Sequence, residues 1–311
     1  MRHFRAGKGV VNALTFTPCG RTLHCIESKD PHAPHEAVHW LGVDRGQLVR
    51  TLDLRETAEQ RAHWYPYSFE PGKAFVSPDG RWVAVKRHIG DPVLLYLWRA
   101  DTGEWREVGL SEGNFVVDAV CFAAASDVLC IASGTDGGGT HDIERVELAT
   151  GNRFPAFEAT HYALRSLCVS ATGHCLGAAG FGGAWAVFPS GAIVELEAEL
   201  GDEPLLRFHP RSNELAIVDG DCVFLWDCQS PDAVPVPDVG HGITDLAFAP
   251  DGELWALGHT DGTVRLRTRE REVARFDWGI GRVASVTFAP DGLTCAAGGE
   301  NGQIVLWDVD V

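Results

Sequence analysis

Four histidines, His32, His35, His88 and His141, stand in polar stretches of the chain, the last of them close to Asp136 and Asp142. Imidazoles from neighbouring loops, joined by a carboxylate, form the usual donor set for zinc. Solvated loop histidines are the competing interpretation. The run Asp136-Gly137-Gly138-Gly139 has the glycine content of a phosphate cradle. It lacks the GxxxxGK[ST] pattern and a helix to follow, so both the lysine and the dipole of such a site are missing. A third group, Arg61, His63, Trp64, Tyr65 and Tyr67, falls within nineteen residues, Arg55 to Lys73. These residue types are enriched at the hot spots of protein interfaces, although aromatics also pin a long loop to its own domain. Nine cysteines form no CxxC pair, and most of them, such as Cys121, Cys130, Cys168 and Cys295, sit inside apolar strand-like runs. They are expected to pack as small reduced hydrophobes.

The elements that must carry these residues repeat along the chain. Leu246 onward (LAFAPDGELWALGHTDGTVRLR) and Val286 onward (VTFAPDGLTCAAGGENGQIVLW) overlay without a gap, forty residues apart. Each copy runs strand, Pro-Asp-Gly turn, strand, Gly-rich turn, strand. Proline presets φ in that turn, aspartate bonds its own backbone, and glycine takes positive φ. The residue two before the proline marks Phe248 and Phe288, and the same pattern continues backward through Phe208, Val169, Phe122, Val76 and Phe16. The seven positions are 60, 46, 47, 39, 40 and 40 residues apart. A sandwich with turns every ten residues does not generate a forty-residue period.

Several copies end their third strand in tryptophan, at Trp98, Trp226 and Trp307, and Trp226-Asp227 and Trp307-Asp308 are WD dipeptides. The chain thus resembles the WD40-repeat family, whose copies each form a four-stranded propeller blade. The resemblance implies an all-β, seven-bladed propeller filling one domain, residues 1–311. Trp307 lies four residues from the end of the sequence, so the seventh copy holds three strands. The family's habit of closing the ring with the first strand predicts that residues 1–6 pair with the strand containing Val305. The resemblance also implies a hydrogen-bonded set of a Gly-His pair, a turn aspartate and the tryptophan in each blade. Here that set is broken: Gly240-His241 and Asp261 meet Arg267 in the tryptophan position, and Asn301 replaces the aspartate before Trp307. His241, and His161 in the fourth copy, are expected to make structural bonds.

A formal net charge of -17 opposes the phosphate backbone of nucleic acid and anionic membrane surfaces. No apolar run reaches the length of a membrane helix, and the first residues lack a secretory h-region, so a cytoplasmic location is expected. Extra length is concentrated in the first three copies: Ser28–Ala37, Arg55–Lys73 and Ser133–Asp142. In a propeller, connections between second and third strands and between blades emerge on one face. His32 and His35 of blade one, Arg87 and His88 of blade two, and Asp136 and His141 of blade three would meet Arg61, His63, Trp64, Tyr65 and Tyr67 there. The chain is therefore expected to be a monomeric, non-catalytic scaffold that takes a protein or peptide partner on this face, with no cofactor. The alternative is a propeller hydrolase or lyase working at the channel mouth with His88, His141 and Asp142.

Overall fold

The computed structural model describes residues 1–5, 7–29, 35–54, 73–88, 93–110, 116–134, 141–159, 164–180 and 182–309. Among these, all regular structure is β-strand, arranged as seven four-stranded antiparallel sheets, the blades of a seven-bladed propeller. The first strand, β1 (Arg2–Arg5), precedes blade one, which holds β2 (Val10–Phe16), β3 (Thr22–Ser28), β4 (His35–Gly42) and β5 (Leu48–Asp53). Blade two is β6 (Lys73–Val76), β7 (Trp82–His88), β8 (Val93–Arg99) and β9 (Trp105–Glu107). Blade three is β10 (Val116–Phe122), β11 (Val128–Gly134), β12 (His141–Glu147) and β13 (Arg153–Ala159). In blade four come β14 (Leu164–Val169), β15 (Leu176–Gly180), β16 (Gly183–Val187) and β17 (Ile193–Glu197), and in blade five β18 (Leu205–Phe208), β19 (Glu214–Asp219), β20 (Cys222–Asp227) and β21 (Ala233–Pro235). Blade six is β22 (Ile243–Phe248), β23 (Trp255–His259), β24 (Thr263–Arg267) and β25 (Glu272–Asp277). Blade seven joins β26 (Val283–Phe288), β27 (Thr294–Gly299) and β28 (Gln303–Asp308) to β1.

All seven marker residues, from Phe16 to Phe288, are the last residue of their blade's first strand. The next residue opens the turn and bonds across it, as in Thr17 N–H to the Thr22 carbonyl (2.9 Å) and Ala289 N–H to Thr294 (2.8 Å). The left-handed position of this turn is glycine in blades one, two, four, six and seven. In blade three it is Ser126, at φ 60°, whose hydroxyl accepts a 3.1 Å bond from the Asp79 amide of blade two's turn. That bond offsets a backbone conformation that side chains other than glycine rarely adopt.

The chain divides into two compact units, residues 1–74 with 236–311, and residues 75–235. In the first, β1 pairs antiparallel with β28, setting His3 opposite Val305 and Phe4 opposite Ile304. Phe4 packs on the core between blades seven and one, where Val11, Leu14, Phe16, Leu23, Ile304 and Leu306 are buried. A hydrogen-bonded relay crosses three blades beside this core. The buried Asp245 carboxylate of blade six accepts the Ser285 hydroxyl (2.9 Å) and the Val286 amide (3.0 Å) of blade seven, and the Ser285 oxygen accepts the Leu14 amide of blade one (3.1 Å).

In the second unit, apolar clusters fill the spaces between blades two and three, three and four, and four and five. Their members come from alternating positions of the inner strands, as the two-residue strand period requires. Trp98, Trp226 and Trp307 are all buried, and the Trp226 indole donates to the Ser230 carbonyl at 2.7 Å. Where tryptophan is absent, Arg267 is just as buried. Its guanidinium donates to the carbonyls of Pro237, Thr268 and Arg269 and lies over the Trp255 ring. The buried imidazole of blade six is His259, in β23, rather than His241. His241 stands in the exposed turn before β22 and contributes its backbone carbonyl, which accepts the His259 Nδ1–H at 2.9 Å. His161 lies outside the described residues.

Candidate functional site

Consecutive strands of an antiparallel blade reverse direction, so the second-to-third and fourth-to-next-first connections leave from one end of each blade. The three insertions belong to these two kinds of connection. Arg61, His63, Trp64, Tyr65, Tyr67, His32 and Asp136 lie outside the described residues. His35 opens β4, and Arg87 and His88 close β7, in positions that flank connections at this end; their side chains too lie outside the description. His141 is described. It begins β12, is buried, and places Nδ1 2.6 Å from the Asp118 carboxylate.

Asp118 occupies a bulge in β10, between Val117 and Ala119, which turns its carboxylate out of the ladder toward the imidazole. Gly134 makes room for the pair, since a Cβ there would stand 2.1 Å from His141 Nδ1. Burial pushes the Asp118 carboxyl above its ordinary range, and His141 and Lys86 pull it partly back. Lys86, one of four lysines in the chain, is itself buried in β7 and donates to the Asp118 carbonyl at 3.2 Å. With Nδ1 held by Asp118, His141 is anchored at the base of blade three's insertion. Neighbouring Asp142 keeps one buried carboxylate oxygen without a hydrogen bond. Among the described residues no group of three or more His, Cys, Asp or Glu side chains is arranged to hold a metal.

Blade one has its own base. His39 of β4 places Nε2 2.6 Å from Glu27 and Nδ1 2.9 Å from the Thr51 hydroxyl, a chain crossing β3, β4 and β5. The second Glu27 oxygen accepts the Gly9 amide. Burial disfavours the Glu27 carboxylate, but the Gly9 amide and His39 outweigh it and hold its pKa below the usual range. Asn12, in the bulge of β2, donates to Ser28 at 2.5 Å, immediately before the first insertion. The insertions of blades one and three are therefore rooted in hydrogen-bonded polar side chains, Glu27 with His39 and Asp118 with His141. Sequence reasoning missed Asp118, Lys86, Glu27 and His39. Their one local signal was a polar residue inside an apolar run, as in VVDAVCF and VAVKRH.

The family model described as "WD domain, G-beta repeat" matches residues 236–267 and 277–308. These two segments match the WD40 repeat. The matched segments cover the first three strands of blades six and seven, and the other five blades share their strand order. Among curated proteins, the guanine nucleotide-binding protein subunit beta of Oryza sativa subsp. japonica is 32% identical over 111 residues, covering 31% of this chain and 29% of that protein. The protein of the same name from Oryza sativa subsp. indica is 32% identical over 105 residues, covering 29% and 28%. The matched stretch thus spans less than a third of the length of these relatives.

Proposed function

We propose that this WD40 propeller is a non-catalytic scaffold that binds a protein or peptide partner on the loop-rich face over blades one to three. The observation that carries the reading is the placement of all three long insertions on the same kind of strand end, against tight turns at the other end. A rigid sheet scaffold with elaborated loops at one end is the usual layout of a binding surface. The insertion between blades one and two supplies Arg61, His63, Trp64, Tyr65 and Tyr67, large side chains suited to anchoring a partner. The rice relatives are, by name, subunits, and that role in an assembly agrees with the proposal. The net charge of -17 directs the proposal toward a basic or neutral protein surface in the cytoplasm, away from nucleic acid and anionic membranes.

The test is affinity capture from the native source with the wild type and with a variant carrying Trp64→Ala, Tyr65→Ala and Tyr67→Ala, circular dichroism confirming that both are folded. Loss of specific partners from the folded variant is the expected result. An unchanged partner set removes this face from the proposal.

A further inference from the structure

Cys121 and Cys130 face each other directly across β10 and β11, and Arg145 stands opposite Cys130 on β12. Directly opposed residues point to the same side of a sheet. In blade three this is the side that packs on Leu164, Leu167 and Leu176 of blade four. The packing is incomplete where the first turns of blades three and four approach. A cavity of about 250 Å³ opens there, with Ala125, Asp127, Thr172 and Gly173 at its exposed rim and Cys130, Arg145 and Cys175 in its wall. A water molecule's share of liquid volume is roughly 30 Å³, so the space admits a small polar molecule. This end of the blades is opposite to the one that carries the insertions.

All nine cysteines are free thiols, but their surroundings differ. Cys25, Cys168 and Cys295 have their thiols pushed up by burial, Cys168 to about 12. The Cys130 thiol is instead held low by the facing Cys121 thiol and by the Arg145 charge, against the cost of burial. A thiolate beside a cation, reachable by a small reagent and next to a second thiol, is the arrangement of a peroxide-sensitive cysteine pair.

We propose that Cys121 and Cys130 form a modification site for small hydroperoxides, which enter by the cavity between blades three and four and leave the pair joined as a cross-strand disulfide. The Cys130 thiolate attacks the outer peroxide oxygen. An S–O bond forms, the O–O bond breaks, and hydroxide or an alkoxide departs, leaving a sulfenic acid. The Cys121 sulfur then attacks the Cys130 sulfur, the S–S bond forms, and hydroxide leaves and takes up the Cys121 proton as water. In sum, two thiols lose two electrons and two protons, and the peroxide is reduced to water plus water or an alcohol. Opposed Cβ atoms on neighbouring strands lie about 4.5–5.5 Å apart, and a disulfide wants about 3.5–4.5 Å. The strands need to close only slightly.

Hydrogen peroxide is added in steps to the intact, folded protein, remaining thiols are alkylated after denaturation, and non-reduced peptides are mapped by mass spectrometry. A peptide pair joined through Cys121 and Cys130, lighter by two hydrogens and released by dithiothreitol, is expected before Cys25, Cys168 or Cys295 reacts. In Cys121→Ser, Cys130 is expected to stop at the sulfenic acid and take up dimedone. Arg145→Met is expected to slow the reaction about tenfold, the change in thiolate fraction made by one pKa unit at a pH below the thiol pKa. The proposal is overturned if Cys130 of the wild type stays reduced while the sealed cysteines oxidise. It is equally overturned if Cys130 oxidises without linking to Cys121, or if Cys175 and Cys228 link in its place.

Discussion

Replacing Asp245 by alanine probes the relay that joins blades six, seven and one. The carboxylate accepts the Ser285 hydroxyl and the Val286 amide, both within the buried inner strands. Removing it strands three buried donors, the third being the Leu246 amide (2.9 Å), and an unsatisfied buried donor costs about 1–3 kcal/mol. The expected loss is therefore roughly 3–9 kcal/mol. Unfolding entropy of about 2.1 cal/mol/K per residue gives roughly 0.65 kcal/mol/K for a chain of 311 residues, so the melting temperature should fall by about 5–14 °C. Ser285→Ala leaves the Val286 bond in place and strands only the Leu14 amide, for a loss of about 1–3 kcal/mol. Because the two side chains share one bond, the double variant should show a coupling of at least about 0.5 kcal/mol in a double-mutant cycle. Differential scanning calorimetry of the four proteins decides the matter. A shift for Asp245→Ala of less than about 2 °C, or strictly additive effects, refutes the relay as a stabilising device.

Phe4 lies half-buried at the junction of β1 with blades seven and one, its ring against Gly46, where an added Cβ would stand 2.0 Å from it. Phe4→Ala should cost about 2 kcal/mol, roughly half the loss for a fully buried phenylalanine. Deleting residues 1–5 should add self-association through the uncovered edge of β28, visible by light scattering; a monodisperse deletion variant with an unchanged melt contradicts the pairing. His259 is fully buried, and burial lowers its pKa below 6.5. Its native form therefore binds fewer protons than the unfolded chain, so this contribution to stability is complete above about pH 6.5 and is lost as pH falls below it. Melting curves between about pH 7.5 and 5 should show a steeper acid decline for the wild type than for His259→Gln, and parallel declines contradict this assignment.

The blade repeat was legible because its signal is local. A Pro-Asp-Gly turn needs only its own residues to form, so Phe16, Val76, Phe122, Val169, Phe208, Phe248 and Phe288 each mark the end of a first strand, even where the proline is missing. The strand at the start of the chain also pairs where its alternation and the three-stranded last copy placed it, with His3 opposite Val305. Side-chain contacts between strands distant in sequence were not legible. Asp118 and His141 are 23 residues apart, and Asp245 and Ser285 are 40 apart. No spacing rule brings such partners together before the sheets are stacked. For the same reason His259, whose buried ring bonds the His241 carbonyl, went unnoticed in the sequence. Arg267 looked like a defect at a tryptophan position, yet three carbonyls and the Trp255 face accommodate it.

The central claim is that the partner meets the insertion-bearing end of blades one to three. Photo-crosslinking residues placed singly at Tyr65, in the longest insertion, and at Leu293, exposed in a turn at the opposite strand end, test it most directly. Irradiation with the partner recovered by affinity capture should give a specific adduct from position 65 and none from position 293. Adducts confined to position 293, or equal at both, would contradict the account.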